Sequence, residues 1–256
     1  MTKALVHLFE YQVPKSSLEQ LSREQTAILG ILSYAVSEVN ALAKFFIIAQ
    51  QDKTGENPID IASMIHQNVI LRTWSAKLFE VMEFAGTADK RLLASDDDLR
   101  VDFEEALLEL DELKSTEGFS TARVMRNEAT SHYSMKAALK NIDYMSEDAE
   151  CNLYLGELNG NSFYPFGEEL MFVARMSRQG KNSRSKAERL AQFWDWHDWN
   201  IAMNDWLSRL HFRVVKTLFL DSETEIFARH KAYWVPPSML SEMDTNIAPL
   251  FFKRTY

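Results

Sequence analysis

Two long stretches of helical hydrophobic spacing, joined by a short polar loop, constrain this chain most. From Ser17 to about Gln51, Ile28, Leu32, Ala35, Val39, Leu42, Phe46 and Ala49 fall at steps of three and four. Ser17 is the predicted N-cap, with Gln20 as its capping-box partner, and Gly30 is the one weak point. After the polar loop Asp52 to Asn57, Pro58 suits the first turn of a second helix. There Ile61, Met64, Ile65, Leu71, Trp74, Leu78, Val81 and Met82 keep the spacing to about Phe84, and Gly86 is the expected stop. Two such helices on a short loop form an antiparallel αα-hairpin. Only 8 glycines and 6 prolines occur in 256 residues, which favours long helices over turn-rich β structure. The fold class expected is all-α.

The rest of the chain continues the pattern. Met1 to Gln12 is expected to form a short helix or a strand-like arm, with Leu5, Leu8 and Phe9 on its apolar side, ended by Pro14. A third, acidic helix runs from Leu99 to Leu113 behind Asp96, Asp97 and Asp98, whose charges suit a helix N-terminus. Gly118 is expected to break it. A fourth helix, capped by Ser120 or Thr121, is predicted to run to about Ile142, with a short helix over Asp143 to Leu153 and a loop from Gly156 to Pro165. A helix from Gly167 to Met176 leads into the polar stretch Arg178 to Ser185, the best linker candidate. From Lys186 a last helix reaches about Leu220. Its Phe193, Trp194, Trp196, Trp199 and Trp206 occupy nearly every side, so more than one face should be covered, as core or as a dimer face.

Composition limits the function classes. With 46% hydrophobic and 25% charged residues, the chain should bury a proper core as one or two domains. Its formal net charge of −9 is opposite to that of a generic nucleic-acid coat protein, so any phosphate contact must come from a local reversal. The single cysteine, Cys151, permits no internal disulfide, and a reducing, cytoplasmic setting is expected. No uninterrupted apolar run reaches the roughly 18 residues of a bilayer span, and the N-terminal stretch is broken at His7 and Glu10, so neither a membrane partner nor a signal peptide is expected.

The fourth helix carries the stretch Thr121-Ala-Arg-Val-Met-Arg-Asn-Glu-Ala-Thr-Ser-His-Tyr133. On a continuous helix Arg126 and His132 would diverge by about 120° around the axis. One copy therefore makes a poor site, whereas two copies across a two-fold axis would share a cleft. The spacing Arg126-Asn127, four residues, His132 resembles the Arg-Asn-x4-His motif of HEPN domains, a helical family that includes ribonucleases of toxin–antitoxin and anti-phage systems. The order of a helical hairpin, a third helix and a motif helix matches that family over roughly residues 17 to 150. The sequence departs from toxin-type members in having Ser134, rather than Tyr, two residues after the histidine.

The resemblance implies a HEPN-like helical core over 17–177, flanked by an N-terminal arm over 1–16 and a C-terminal helical extension over 178–256. It also implies a metal-independent endoribonuclease with no cofactor, in which His132 is the acid/base, Arg126 stabilises the developing charge on the phosphate and Asn127 holds the backbone or the arginine. The residue types suit those roles, since imidazole titrates near neutrality and guanidinium is a planar fork for phosphate oxygens. The partners implied are RNA, a second copy of the chain, and an antitoxin or other defence-system protein. Local basic residues extend the expected RNA surface: Arg123 and Lys136 on the motif helix, and Arg178, Lys181 and Arg184 in a segment with six basic residues between 175 and 189. The same segment also reads as a solvated linker. The alternative function is a non-catalytic helical dimer that serves as a protein-binding or regulatory module. His197, between Asp195 and Asp198, lacks a second histidine one turn away, and no metal site is expected.

Overall fold

The computed structural model describes residues 7–91, 97–128, 134–158, 160–179, 186–220, 229–235 and 250. They form an all-α bundle with one two-stranded sheet. Strand β1 (His7–Gln12) precedes a four-residue helix α1 (Lys15–Leu18), followed by α2 (Arg23–Ile48), α3 (Asn57–Arg91), α4 (Asp97–Lys114), α5 (Glu117–Glu128) and α6 (Met135–Ile142). Helix α7 (Pro165–Glu168) passes through a π-helical turn (Glu169–Val173) into α8 (Ala174–Gln179). Helix α9 (Lys186–Val215) ends in a second π turn (Lys216–Leu220), and β2 (Arg229–Trp234) pairs antiparallel with β1, Phe9 opposite Ala232.

The first long helix starts later than the sequence predicts. Ser22, not Ser17, is its N-cap: Ser22 Oγ accepts from the Gln25 N–H at 3.0 Å and Gln25 Oε1 accepts from the Ser22 N–H at 2.8 Å. Ser17-x-x-Gln20 and Ser22-x-x-Gln25 carry the same signature, but Ser17 lies inside the short α1, whose N-cap is Pro14. Helix α3 runs past the expected stop at Gly86 to Arg91, because nothing at Gly86 requires a positive φ. The predicted helix over Asp143 to Leu153 is instead a run of turns and extended chain ending in an isolated bridge between Tyr154 and Phe163, whose rings stack at 4.6 Å. Pro236, Pro237 and the terminal Phe251 and Phe252 lie outside the described residues.

Helix α9, assigned by sequence to a C-terminal extension, packs against α2, α3, α4 and α5 in one core. Its Trp196, Trp199, Met203, Trp206, Leu207, Leu210 and Val214 are buried among Ile28, Leu32, Phe46, Leu71, Leu78, Phe103 and Leu110. Each such tryptophan removes on the order of 200 Å² from water, about 5 kcal/mol by area as an upper figure. The indoles also fix register. Trp206 Nε1 donates to the Ala106 carbonyl at 2.8 Å, tying α9 to α4. Trp196 Nε1 donates to Ser75 Oγ at 2.7 Å, and Ser75 donates to Asn200 Oδ1 at 2.8 Å. Asn200 Nδ2 in turn donates to the Trp196 carbonyl at 2.8 Å. This buried ring of hydrogen bonds satisfies every polar atom it uses, which is what makes burying them tolerable.

Helices α2 and α9 run antiparallel with polar layers seven residues apart. Ser33 Oγ meets His211 Nε2 at 2.9 Å, and Asn204 Nδ2 donates to Asn40 Oδ1 at 3.2 Å. Helix α2 contains an 18-residue window of mean hydropathy 1.5, long and apolar enough to cross a membrane by length and composition. Its Ile28, Leu32, Ala35, Val39 and Phe46 lie in the core, which accounts for part of that hydropathy by packing within the bundle.

Candidate functional site

The candidate site is the α5–α6 segment, and its position is set by a close approach between α5 and α9. Thr116 caps α5, its Oγ1 accepting from the Phe119 N–H at 3.2 Å, so the predicted caps Ser120 and Thr121 lie inside the helix. Thr121 is buried and its Oγ1 accepts from Gln192 Nε2 at 3.2 Å. Gly118 is not a break. It sits in the first turn of α5, where a Cβ would fall 2.2 Å from the Asp195 carbonyl oxygen and 2.6 Å from Trp199 Cβ. The missing side chain lets the two backbones touch. Phe119 stacks on Phe79 at 5.6 Å and tilts against Trp199 at 6.0 Å, and Ala122 is fully buried.

With that face turned inward, Arg123 and Arg126 lie on the outer side of α5. Arg123 is exposed, its guanidinium 5.7 Å from the centre of the Phe119 ring. Arg126 reaches across to α3, where Nη2 is 2.8 Å from Oε1 and 2.9 Å from Oε2 of Glu83. The pair is 37% and 54% exposed, so it is solvated and contributes little to stability.

The predicted continuous helix from 121 to 142 is two helices. Ser134 is extended, at φ −116° and ψ 114°, and its hydroxyl caps α6 by accepting from the Ala137 N–H at 3.2 Å. Residues 129–133, over which the divergence of about 120° between Arg126 and His132 is expected, lie outside the described residues. His132 lies outside the described residues, as does the side chain of Asn127, whose backbone lies in the last turn of α5. Lys136 and Lys140 are exposed on α6.

The basic segment from 175 to 189 is only partly available as a phosphate track. Arg175 is 9% exposed, Arg178 is half-buried, and Arg189 lies 3.6 Å from Asp148. Lys181 and Arg184 lie outside the described residues. Beside this segment, burial pushes the Glu169 carboxyl above its ordinary value, against the opposing pull of a hydrogen bond from the Glu150 backbone and the charge of Arg189. Glu169 opens the π turn, and the Leu170 carbonyl next to it accepts from the buried Asn141 Nδ2 at 2.9 Å. A side chain inserted into the helical ladder is an ordinary cause of such a turn.

His197 is a packed histidine. Its ring lies 5.0 Å from that of Phe46 and edge-on to Trp194 at 5.4 Å, with Nδ1 3.1 Å from Asp198 Oδ1. Trp196, Trp199 and Trp206 are core, and Trp194, at 46%, is the exposed member of the row. Sequence reading missed Glu83 as the partner of Arg126. It also missed the bidentate bridge from Arg72 to Glu168, at 2.7 and 3.0 Å, that ties α3 to α7. Neither pairing has a local signal, because the partners are 43 and 96 residues apart. No family model, curated protein or solved structure matches the chain.

Proposed function

We propose that this is a HEPN-like protein that binds RNA over the α5–α6 surface and cleaves it without a metal ion. In this reading His132 takes the proton of a ribose 2′-hydroxyl as its oxygen attacks the adjacent phosphorus. Arg126 stabilises the charge that develops on the phosphate oxygens, and Asn127 holds the backbone or the arginine. The 5′-oxygen leaves with a proton, and the products are a 2′,3′-cyclic phosphate and a 5′-hydroxyl end. The observation that carries the reading is the outward cationic run on two consecutive helices: exposed Arg123, partly exposed Arg126, and exposed Lys136 and Lys140. In a chain of net charge −9, such a local reversal is what draws a phosphate backbone. The setting proposed is a cytoplasmic toxin or anti-phage system with a neutralising protein partner.

A second reading is a non-catalytic helical dimer that binds a protein. The observation that favours it is Glu83, whose carboxylate already occupies the Arg126 guanidinium. RNA incubated with the purified chain in EDTA separates the two. The ribonuclease reading expects cleavage that leaves cyclic-phosphate ends and disappears in both His132→Ala and Arg126→Ala. RNA that stays intact at high enzyme concentration sinks that reading and leaves the second.

A further inference from the structure

Helix α9 packs one side into the core and turns another to solvent. On the solvent side Leu190, Trp194 and Ile201 stand at i, i+4 and i+11 and are 57%, 46% and 42% exposed. With His197 at i+7 they fall within roughly 60° of one another, on the spacing of a helix that packs along a second helix. Trp196, Trp199 and Trp206 supply the tryptophans of the core, on the other side of α9. Tryptophan is enriched among the anchors of protein interfaces. A row of large apolar side chains exposed on a helix whose other side is already covered marks such an interface.

The rim of the row says what covers it. Asp198 and Asp205 are exposed, and both lie within about 60° of Trp194 and Ile201 around the axis. Asp198 also meets His197, its Oδ1 3.1 Å from Nδ1. Exposed Asp195 extends the charge toward α5. From Leu190 to Ser208 the helix carries these three aspartates and no lysine or arginine. Across the row, α2 contributes exposed Lys44, one turn beyond Asn40, whose amide meets Asn204. The rim is therefore acidic on balance, and the face complements a helix that is apolar on one side and basic beside it. Two copies paired antiparallel through this face would set acidic edge against acidic edge.

We propose that the outer face of α9 docks an amphipathic helix of an unlike protein, basic along the flank that meets Asp198 and Asp205. Apolar side chains of that helix fill the row between Leu190 and Ile201. A lysine or arginine placed over the Trp194 ring gains cation–π attraction together with the charge of Asp198. Docking uses no residue of the α5–α6 surface, so it holds whether or not RNA is cleaved. One such row covers less than the roughly 1,600 Å² of a standard interface, so micromolar affinity is expected, weakened by salt.

The test uses the full chain and two labelled synthetic helices of about 20 residues, followed by fluorescence anisotropy. One has leucines at heptad spacing flanked by lysines; its twin carries glutamate at every lysine position. The lysine helix should bind, and the glutamate twin should bind about tenfold more weakly or worse. Trp194→Ala should weaken the lysine helix about tenfold with helix content unchanged. Asp198→Lys combined with Asp205→Lys should invert the preference, so that the glutamate twin binds better. That inversion ties binding to α9 and sets it apart from attraction to the net negative charge of the chain. Equal binding of the twins overturns the proposal, as does a preference that neither Trp194→Ala nor the charge reversal alters. A chain that sediments alone as a dimer, and becomes monomeric with Trp194→Ala, also overturns it, since a second copy would then hold this face.

Discussion

Glu83 and Arg126 face each other from α3 and α5, with one guanidinium nitrogen 2.8 Å from one carboxylate oxygen and 2.9 Å from the other. Their exposure means that the pair does little for folding, so its importance is electrostatic: the carboxylate competes with any oxyanion that approaches Arg126. Replacing Glu83 by Gln removes the competitor. Stability should change by less than about 1 kcal/mol. RNA affinity at fixed salt, read by fluorescence anisotropy, should rise several-fold, and Arg126→Ala should lower it. If neither variant changes RNA affinity, Arg126 is outside the RNA path.

Ser75 holds the indole of Trp196 and the amide of Asn200 at once. Ser75→Ala would leave a buried N–H and a buried amide oxygen without these partners. The expected cost is about 1–3 kcal/mol, which for a chain of this size lowers the melting midpoint by several degrees. A midpoint unchanged within error would show that the two groups find other partners.

Two glycines, each expected from sequence to end a helix, should respond in opposite directions. Gly118→Ala drives a methyl into the Asp195 carbonyl and Trp199 Cβ, both on the backbone or next to it. Helix α5 must then back away from α9, at a cost of about 1–3 kcal/mol or more. Gly86 lies exposed inside α3, and a methyl group added there would meet nothing within 4 Å. Gly86→Ala should stabilise by about 0.5–1 kcal/mol through helix propensity and a less flexible unfolded chain. Urea midpoints of the two variants should lie on opposite sides of wild type.

Burial of His211 pushes its imidazole below the ordinary value of 6.5. Unfolded, the ring takes its proton near 6.5; folded, it does so only at lower pH. Its contribution is therefore fully present above pH 6.5 and is lost as pH falls toward the folded value. Chemical denaturation between pH 7.5 and pH 5 should show wild type losing stability with acid, and His211→Gln losing less. Parallel pH profiles would indicate that Ser33 and solvent accommodate the charged ring.

Much of the bundle was legible because helical period is a local property. The core positions Ile28, Leu32, Ala35, Val39 and Phe46 fall where the three- and four-residue steps put them, as do Leu71, Trp74 and Leu78. Starts and stops were less legible. Two Ser-x-x-Gln signatures five residues apart competed for the first cap, and Gly118 looks the same in sequence whether it ends a helix or lets one approach another. Strand β2 was missed because its ladder with β1 joins residues more than two hundred positions apart. The division of the predicted helix over 121 to 142 turned on Ser134, whose capping role depends on its extended backbone. Of the candidate site, Arg123, Arg126 and Lys136 could be read as surface cations. The partner of Arg126 could not, because it belongs to another helix of the bundle.

The central place of α9 has a consequence for synthesis. Helices α2 to α5 are made first, yet the face that Trp196, Trp206 and Leu210 will cover stays open until the chain has grown to about residue 215. At ordinary ribosomal speed that is on the order of ten seconds after α5 is complete. During this interval Leu71, Leu78, Phe103 and Leu110 lack the surface they are shaped for. The nascent chain is then at its stickiest, and a chaperone that shields apolar helices would find its substrate in that window.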